Sequence, residues 1–220
     1  MPFVLRDQVV FYHVPKTGGT WLRNLLRDAG LLQAQRGRKH DPPGLDRFLP
    51  TVPCEALAEE RERRRSGARA TAEWSFCFVR HPLTWYESWF RYMSARAWKP
   101  WRQAPSFLDW HPCAPLEGQG ADRFEDFVEN VLRRRPGFVS ELYFSFTPHV
   151  SRVGRYEDLR KSASEILQQV GLWTPELATL ADARAPQNVS PPTPTPWDPA
   201  LRDEILAAER PALLRFGYAR

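Results

Sequence analysis

The sequence predicts an α/β fold in which a central parallel sheet is covered by helices on both faces. Short segments rich in β-branched and aromatic residues alternate along the chain with segments of helical periodicity. One of the short segments, Ser75–Val79 (SFCFV), is apolar almost throughout, as a strand buried on both faces should be. With 220 residues, of which 42% are hydrophobic, the chain can bury one sizeable core. We therefore expect a single domain over residues 1–220.

The first predicted strand and the first predicted helix enclose a short loop. The run Gln8–Val14 (QVVFYHV) is β-branched and aromatic and is followed by Pro15, which predicts a strand. The segment Thr20–Ala29 carries apolar residues at positions 21, 22, 25, 26 and 29, and Gly30 follows it. This spacing predicts an amphipathic helix that begins near Thr20 and ends at the glycine.

The later elements continue the alternation. Arg80-His81-Pro82 ends the strand Ser75–Val79, and a helix is predicted from about Leu83. Further predicted elements are a helix over Phe124–Leu132, a strand over Arg152–Tyr156, a helix over Glu157–Val170 that Gly171 ends, and a last helix from Leu201 to about Phe216. Residues 31–69 are weakly patterned and predict a loop and one charged helix. The six prolines of Pro186–Pro199 predict an extended loop or lid.

The charged residues favour an anionic ligand without identifying it. The formal net charge is +5, and only four of the 31 basic residues are lysines. Arginine recognises phosphate, sulfate and carboxylate through paired hydrogen bonds. Net charge alone also fits nucleic acid, but Glu59-Glu60 precede the basic run Arg61–Arg65, which is typical of a mixed-charge helix face.

Cysteine spacing and hydropathy exclude several classes of protein. The three cysteines are widely spaced and form no CxxC motif, which argues against a disulfide scaffold or a structural zinc site. The longest apolar run is far shorter than a bilayer span, and charges at Arg6 and Asp7 interrupt any signal-peptide core. We therefore expect a cytoplasmic protein without a membrane anchor.

The loop Pro15-Lys16-Thr17-Gly18-Gly19 and the following Thr20 have the composition of an anion site. Glycines let the main chain wrap closely around an oxyanion, and a helix N-terminus offers free N–H groups. Lys16 supplies a positive charge, and the two threonines supply hydroxyl groups. In the nucleotide-hydrolase pattern GxxxxGK[ST] the lysine follows the glycines, whereas here it precedes them. No predicted strand ends in an obvious magnesium-binding aspartate, so the loop predicts a nucleotide site without a metal.

A second anion site is predicted beside the first. Arg80 follows the strand Ser75–Val79, and Ser88 lies eight residues further on, about two turns into the next helix. Ligands of parallel sheets bind at the carboxyl ends of the strands, where both segments lie. Two adjacent anion sites suit a nucleotide that is phosphorylated at both its 5′ and its 3′ positions.

Three segments resemble a known enzyme family. HVPKTGGTW (13–21), FVRHPLTWYESWF (78–90) and VGRYEDL (153–159) are similar to the 5′-phosphosulfate loop, the 3′-phosphate segment and the third-strand segment of the PAPS-dependent sulfotransferases. The resemblance is greatest to the carbohydrate and bacterial branch, and the ending LLRFGY (213–218) also looks like that of the family. The resemblance implies a three-layer, P-loop-like α/β sandwich and transfer of a sulfuryl group from PAPS to an acceptor hydroxyl of a carbohydrate, lipid or small alcohol, with release of adenosine 3′,5′-bisphosphate.

The resemblance also implies roles for individual residues. The 5′-phosphosulfate would be held by Lys16, Thr17, Gly18, Gly19 and Thr20, and the 3′-phosphate by Arg80 and Ser88. Trp21 either stacks on adenine or is a core aromatic, and Tyr156 either approaches the base or is a buried strand-end tyrosine. The cytosolic branch closes the 3′-phosphate site with Arg-Lys-Gly near the C-terminus, which is absent here; Arg184, Asn188 and Ser190 are candidates for its replacement.

An alcohol acceptor must lose a proton, so a general base is expected. In the family the base often follows the first helix, which points to His40, and His13 is the alternative. Lys16 would stabilise the bridging oxygen as the S–O bond breaks.

Aromatic residues are concentrated between positions 85 and 110, where they bear on the acceptor site. A group of aromatic residues either fills the core or lines an acceptor cleft, namely Trp85, Trp89, Tyr92, Trp98, Trp101 and Trp110. Two other functions stay open, a small-molecule kinase and a binding module for an anionic polymer.

Overall fold

The structure is a computed structural model that describes residues 2–35, 40, 42–43, 74–99, 111–185 and 197–218. Its sheet has five strands: β1 Pro2–Leu5, β2 Val10–Tyr12, β3 Leu32–Gln35, β4 Ser75–Val79 and β5 Arg152–Arg155. Their order across the sheet is β3-β1-β2-β4-β5. Among the described residues, the helices longer than five residues are α1 Gly19–Asp28, α2 Pro82–Ser94, α3 Phe124–Arg134, α4 Phe138–Phe146, α5 Leu159–Gln169, α6 Pro175–Ala183, α7 Pro199–Ala208 and α8 Arg210–Arg215.

The sheet is mixed, and the expectation of a parallel sheet holds only for its three strands β2, β4 and β5. β1 is antiparallel to β2 and to β3. β1 and β2 are antiparallel because only a short turn over Arg6–Gln8 connects them, whereas parallel strands need a much longer crossover. Asp7 and Gln8 take positive φ angles of 58° and 60° in this turn. The sequence pattern did not predict β1 or β3.

Helices cover both faces of the sheet. Successive residues of each strand point to opposite faces, so each strand contributes to two separate apolar clusters. Val10, Tyr12 and Cys77 belong to one apolar cluster together with residues of α2, α3, α4 and α7. Phe11, Phe76 and Phe78 belong to another, together with residues of α1, α5 and α6. The described chain is therefore an α/β protein with a five-stranded mixed sheet flanked by helices.

Some predicted element boundaries need correction. The predicted last helix is two helices, α7 and α8, which meet at Glu209; Pro211 near the start of α8 has no N–H to continue the first helix. Helices α4 and α6 were not predicted. The predicted charged helix within residues 31–69, like most of the proline-rich segment, lies outside the described residues. None of the described helices is long and apolar enough to cross a membrane.

Candidate functional site

Three chain segments converge where the parallel strands β2, β4 and β5 end. The main-chain N–H of Tyr156, after β5, donates to the carbonyl of Val79 at the end of β4 (2.8 Å). The guanidinium carbon of Arg80 lies 4.2 Å from the centroid of the Tyr156 ring. The same ring packs against Gly18 of the loop that follows β2. The structure thus brings together the three segments that the sequence analysis singled out.

The carbonyl groups of the loop are held by side chains from outside and inside it. Four successive carbonyls, those of residues 13–16, each accept a side-chain hydrogen bond. The donors are His40 Nδ1 to His13 (2.8 Å), Thr17 Oγ1 to Val14 (2.9 Å), Trp85 Nε1 to Pro15 (2.9 Å) and Arg80 Nη1 to Lys16, which at 3.5 Å is long. Since the carbonyls are occupied in this way, the positive N-terminal end of α1 is the part of the loop that is suited to an anion.

Both glycines of the loop are required by close packing. Gly18 has a φ of 80°, and a Cβ there would lie 2.6 Å from Cδ2 of Leu159 and 3.0 Å from Cδ2 of Tyr156. A Cβ on Gly19 would lie 2.0 Å from Cδ2 of His13. The pair Gly-Gly therefore allows α1 to begin directly against the β2 and β5 ends.

Lys16 adopts a conformation that is unusual for a residue with a side chain. Its φ is 64°, and its Nζ lies 4.1 Å from the centroid of the Tyr92 ring on α2. A left-handed residue other than glycine costs on the order of 1 kcal/mol or more and is often found at functional sites.

The two threonines of the loop differ in exposure. Thr17 is 1% exposed, and its hydroxyl donates within the loop, whereas Thr20 in the first turn of α1 is half-buried.

Arg80 is a partly buried cation that forms no ion pair within the described residues. Its Nε donates to Thr84 Oγ1 (3.0 Å), and burial lowers the pKa of its guanidinium, an effect that nearby Tyr156 opposes. Among the described residues, no Asp or Glu lies within ion-pair distance of it. Glu157 and Glu87 also raise its pKa from a longer distance. A partly desolvated arginine that forms no ion pair favours binding of an anion. Ser88 lies one helical turn beyond Thr84 and is buried.

Tyr143 of α4 fixes the main chain of Arg80. Its hydroxyl accepts from the Arg80 N–H (3.0 Å) and donates to the Arg80 carbonyl (2.7 Å). Burial raises the pKa of Tyr143, so the hydroxyl keeps its proton for this bond. The sequence analysis missed this residue because α4 was not predicted, and a tyrosine in an apolar helix gives no signal of its own.

Glu157 connects the segment after Arg80 with Tyr218 near the C-terminus. Glu157 Oε1 accepts from the His81 N–H (2.7 Å), and Glu157 Oε2 accepts from the Tyr218 hydroxyl (2.8 Å). Burial and the neighbouring Glu157 raise the pKa of Tyr218. Nδ1 of His81 caps α2 by accepting from the Leu83 N–H (3.3 Å). The ending LLRFGY therefore reaches the edge of the sheet at which the loop lies.

Three histidines form a cluster beside the loop. The ring centroids of His13 and His40 are 4.7 Å apart, and those of His40 and His111 are 4.8 Å apart. His13 is 2% exposed and packs against Phe11, whereas His40 is half-buried. The sequence analysis gave His111 no role, because it stands in an irregular segment 71 residues after His40.

The hydrogen bonds of this cluster determine which nitrogens carry protons. A carbonyl can only accept, so His40 Nδ1 must carry a hydrogen when it bonds to the His13 carbonyl. In the neutral ring, Nε2 of His40 is then the basic nitrogen. His111 Nδ1 accepts from the Cys113 N–H (3.1 Å), so its hydrogen is on Nε2 when the ring is neutral.

Several predicted site residues have surroundings that the sequence left open. Trp21 is 4% exposed and lies in the apolar cluster between α1 and the sheet, as the core interpretation expects. Arg184 pairs with Asp28 at the end of α1 that is far from the loop. Asn188 and Ser190 lie outside the described residues, as do Trp101 and Trp110.

Two cavities border this region. One, of about 410 Å³, lies beside Trp89 and Trp98, and the other, of about 500 Å³, lies beside Arg155 and Arg215. Among the described residues, no group of three or more His, Cys, Asp or Glu side chains is arranged to hold a metal ion.

Comparisons of the chain with protein-family models, with curated proteins and with solved structures found no match. What the site does is therefore inferred from its own residues.

Proposed function

We propose that the protein is a PAPS-dependent sulfotransferase with a three-layer, P-loop-like arrangement of its sheet and helices. The observation that carries the proposal is Arg80, a partly buried cation that forms no ion pair within the described residues, although Glu157 and Glu87 act on it from a longer distance. It stands beside a glycine loop whose carbonyls are held by side chains and whose Lys16 adds a second positive charge. Two cations at neighbouring strand ends suit a ligand with two separated anionic groups.

The residues present fit such a nucleotide. The N-terminus of α1, with Lys16 and Thr20, would hold the 5′-phosphosulfate, and Arg80 would hold the 3′-phosphate, with Ser88 further along α2. Tyr156 lies under Arg80 and is half-buried, which favours a place near the nucleotide. When bound, PAPS supplies an activated sulfuryl group with a stable phosphate as the leaving group.

The side chains of the loop would act on charge and protons. His40 Nε2 takes the proton of the acceptor hydroxyl as the acceptor oxygen bonds to sulfur. The bond between sulfur and the bridging oxygen breaks, and its electron pair remains on the released adenosine 3′,5′-bisphosphate. Lys16 stabilises the charge that develops on this oxygen.

The geometry favours His40 over His13 as the base. His13 is 2% exposed and lies between Phe11 and the position where a Cβ of Gly19 would be, so its ring is enclosed by the fold. His40 is half-buried, and its Nδ1 bond leaves Nε2 as the basic nitrogen. His13 then has a supporting role, because its carbonyl sets the tautomer of His40. We also propose a cytoplasmic location and chemistry that needs no metal, as the sequence led us to expect.

Ligand-dependent thermal unfolding tests the nucleotide site. Adenosine 3′,5′-bisphosphate is expected to raise the melting temperature far more than AMP or ATP with Mg²⁺, because both anion sites are filled only by the bisphosphate. Arg80→Gln should weaken the binding of the bisphosphate by about 2–5 kcal/mol. Arg133→Gln is the control, since Arg133 is an exposed arginine of α3 whose Nη2 donates to Asn130 Oδ1 (3.4 Å). Equal shifts for AMP and the bisphosphate would contradict the proposal.

Transfer of labelled sulfate from PAPS to a panel of sugars, phenols, lipids and amines tests the reaction itself. A small-molecule kinase would instead respond to ATP with Mg²⁺. A binding module for anionic polymers would show steep salt dependence and no response to the bisphosphate.

A further inference from the structure

The cavity beside α2 has the size and lining of a small-molecule site. Its volume of about 410 Å³ falls within the range of about 300–1,000 Å³ typical of ligand pockets. Trp89 and Met93 of α2 line it together with Trp98, and the segment 113–122 forms the rest of the described lining. Trp98 is fixed in place because its Nε1 donates to the Ala121 carbonyl (3.0 Å) and its ring packs against Gly120. A tryptophan fixed in this way offers a preformed apolar surface to a ring.

The polar part of the lining is acidic. Glu117 and Asp122 both line the cavity, and no lysine or arginine does so within the described residues. Oε1 of Glu117 is buried and accepts no hydrogen bond, and neither carboxylate forms an ion pair with a described residue. Gln119, which is 5% exposed and stands in the same segment, also has an Oε1 without a donor. A buried carboxylate oxygen without a donor is unfavourable, so a ligand that brings a donor is favoured there.

The cavity shares two residues with the surroundings of the histidine cluster. Trp89 stacks on His111 with 6.2 Å between ring centroids and an interplanar angle of 28°. Cys113, which also lines the cavity, donates its N–H to His111 Nδ1 (3.1 Å). His111 in turn lies against His40, with 4.8 Å between the ring centroids. His111 and either Trp89 or Cys113 therefore connect a molecule in the cavity to the proposed base.

We infer that this cavity binds the acceptor, and that the acceptor is a ring-shaped alcohol or phenol that carries an ammonium group. The tryptophans contact the ring, and Glu117, with Asp122, binds the ammonium group. The hydroxyl extends past His111 to His40. The role as acceptor rests on the proposed sulfuryl transfer, whereas binding of an ammonium-bearing ring depends on the cavity alone.

Two probes that differ in the ammonium group test the binding. Tyramine and 4-ethylphenol have the same phenol ring and hydroxyl, but only tyramine carries a cation at neutral pH. Calorimetric titration of the protein without nucleotide is expected to give a Kd for tyramine at least about tenfold below that for 4-ethylphenol, as for a charge-assisted hydrogen bond. In Glu117→Gln the ratio should fall to about threefold or less, since the variant keeps the shape and loses the charge.

Glu125→Gln is the matched control, because Glu125 lies on α3 outside the cavity lining and should leave the ratio unchanged. If Glu117→Gln does not fold, as judged from its melting curve, Asp122→Asn replaces it and should also reduce the ratio, since Asp122 is exposed. Equal affinity for the two probes in the unsubstituted protein would overturn the inference, and so would a preference for tyramine that Glu117→Gln and Asp122→Asn both retain.

Sulfate transfer separates this inference from the proposed function. Labelled PAPS with each probe should give a lower KM for tyramine, and the ratio of the two KM values should fall to about threefold or less in Glu117→Gln. If tyramine binds preferentially but no label is transferred to it, while another acceptor is sulfated, the cavity is not the acceptor site. If nothing is sulfated and the bisphosphate does not bind, the proposed function is wrong, and the calorimetric ratio still decides the cavity.

Discussion

Replacing Glu209 should destabilise the protein more than any exposed substitution, because its carboxylate is buried and satisfies several donors at once. It is 0% exposed and accepts hydrogen bonds from Tyr86 Oη (2.6 Å), Val139 N (2.9 Å), Ser140 N (2.7 Å) and Ser140 Oγ (2.7 Å). Two of these donors are N–H groups in the first turn of α4, so a residue between α7 and α8 caps another helix. Within the described residues, Glu209 has no ion-pair partner.

In Glu209→Leu the hydroxyl of Tyr86 and the two N–H groups lose their acceptor. The Ser140 hydroxyl can still turn to the Glu209 carbonyl, which lies 3.4 Å away. Each buried donor without an acceptor costs about 1–3 kcal/mol, so three of them cost about 3–6 kcal/mol after the leucine regains some apolar contact. Such a loss is a large part of the stability of a typical domain, about 5–15 kcal/mol.

Denaturation by urea, followed by tryptophan fluorescence, measures this loss. Glu204→Leu, at an exposed glutamate of α7, is the control and should change the free energy of unfolding by less than about 0.5 kcal/mol. Tyr86→Phe removes one donor and leaves the carboxylate three, so it should cost about 0.5–2 kcal/mol. A loss below about 1 kcal/mol for Glu209→Leu would refute the view that these bonds hold α4 in place.

Three further predictions concern the site. Lys16→Ala should lower turnover much more than affinity for adenosine 3′,5′-bisphosphate, because Lys16 acts on charge that develops during the reaction; near-normal turnover would remove its catalytic role. His40→Ala should keep PAPS binding and lose about 10²–10⁴ in turnover, whereas His13→Ala should reduce folding stability; an inactive but normally folded His13→Ala with an active His40→Ala would reverse the two roles. Burial lowers the pKa of His81 below its ordinary value of 6.5, and its Nδ1 must stay unprotonated to cap α2. As the pH falls, the unfolded ring therefore takes up its proton before the folded one, so this stabilisation is complete above about pH 6.5 and is lost below it. His81→Asn, which caps the helix without titrating, should reduce the loss of unfolding free energy between pH 8 and pH 5. An unchanged loss in the variant would contradict this prediction.

The strands and helices that carry the site were predictable because local patterns determine them. Ser75–Val79 is a strand over the residues predicted, since a short and almost wholly apolar run that ends before Arg80-His81-Pro82 is typical of a strand buried on both faces. Helix α1 was predicted within one residue at each end by its apolar spacing and Gly30. The edge strand β3, Leu32–Gln35, alternates half-buried and exposed residues and has only one strongly apolar residue, so its pairing with β1 depends on tertiary contacts that a sequence pattern does not contain.

The surroundings of the site residues were less predictable than their positions. The loop, Arg80 and Tyr156 meet because parallel strands bring their carboxyl ends together, which follows from strand order alone. That His111 lies against His40 depends on the path of an irregular segment, and no periodicity describes it. Trp21 shows the limit for single residues, because an aromatic residue on a helix face has the same pattern whether it contacts the core or a ligand.

The hydrogen bonds to the loop carbonyls also bear on whether the loop can be transplanted. The donors to residues 13–16 come from residues 17, 40, 80 and 85, so three of the four lie on other segments of the chain. A graft of residues 13–21 into another strand–loop–helix unit would carry the two glycines and the lysine but only the bond from Thr17. Such a graft should bind anions poorly even where its main chain can be built, since three of the four side chains that orient its carbonyl groups would be missing. The nine-residue motif is thus one part of a site whose supporting side chains come from some 70 residues of sequence, from 13 to 85.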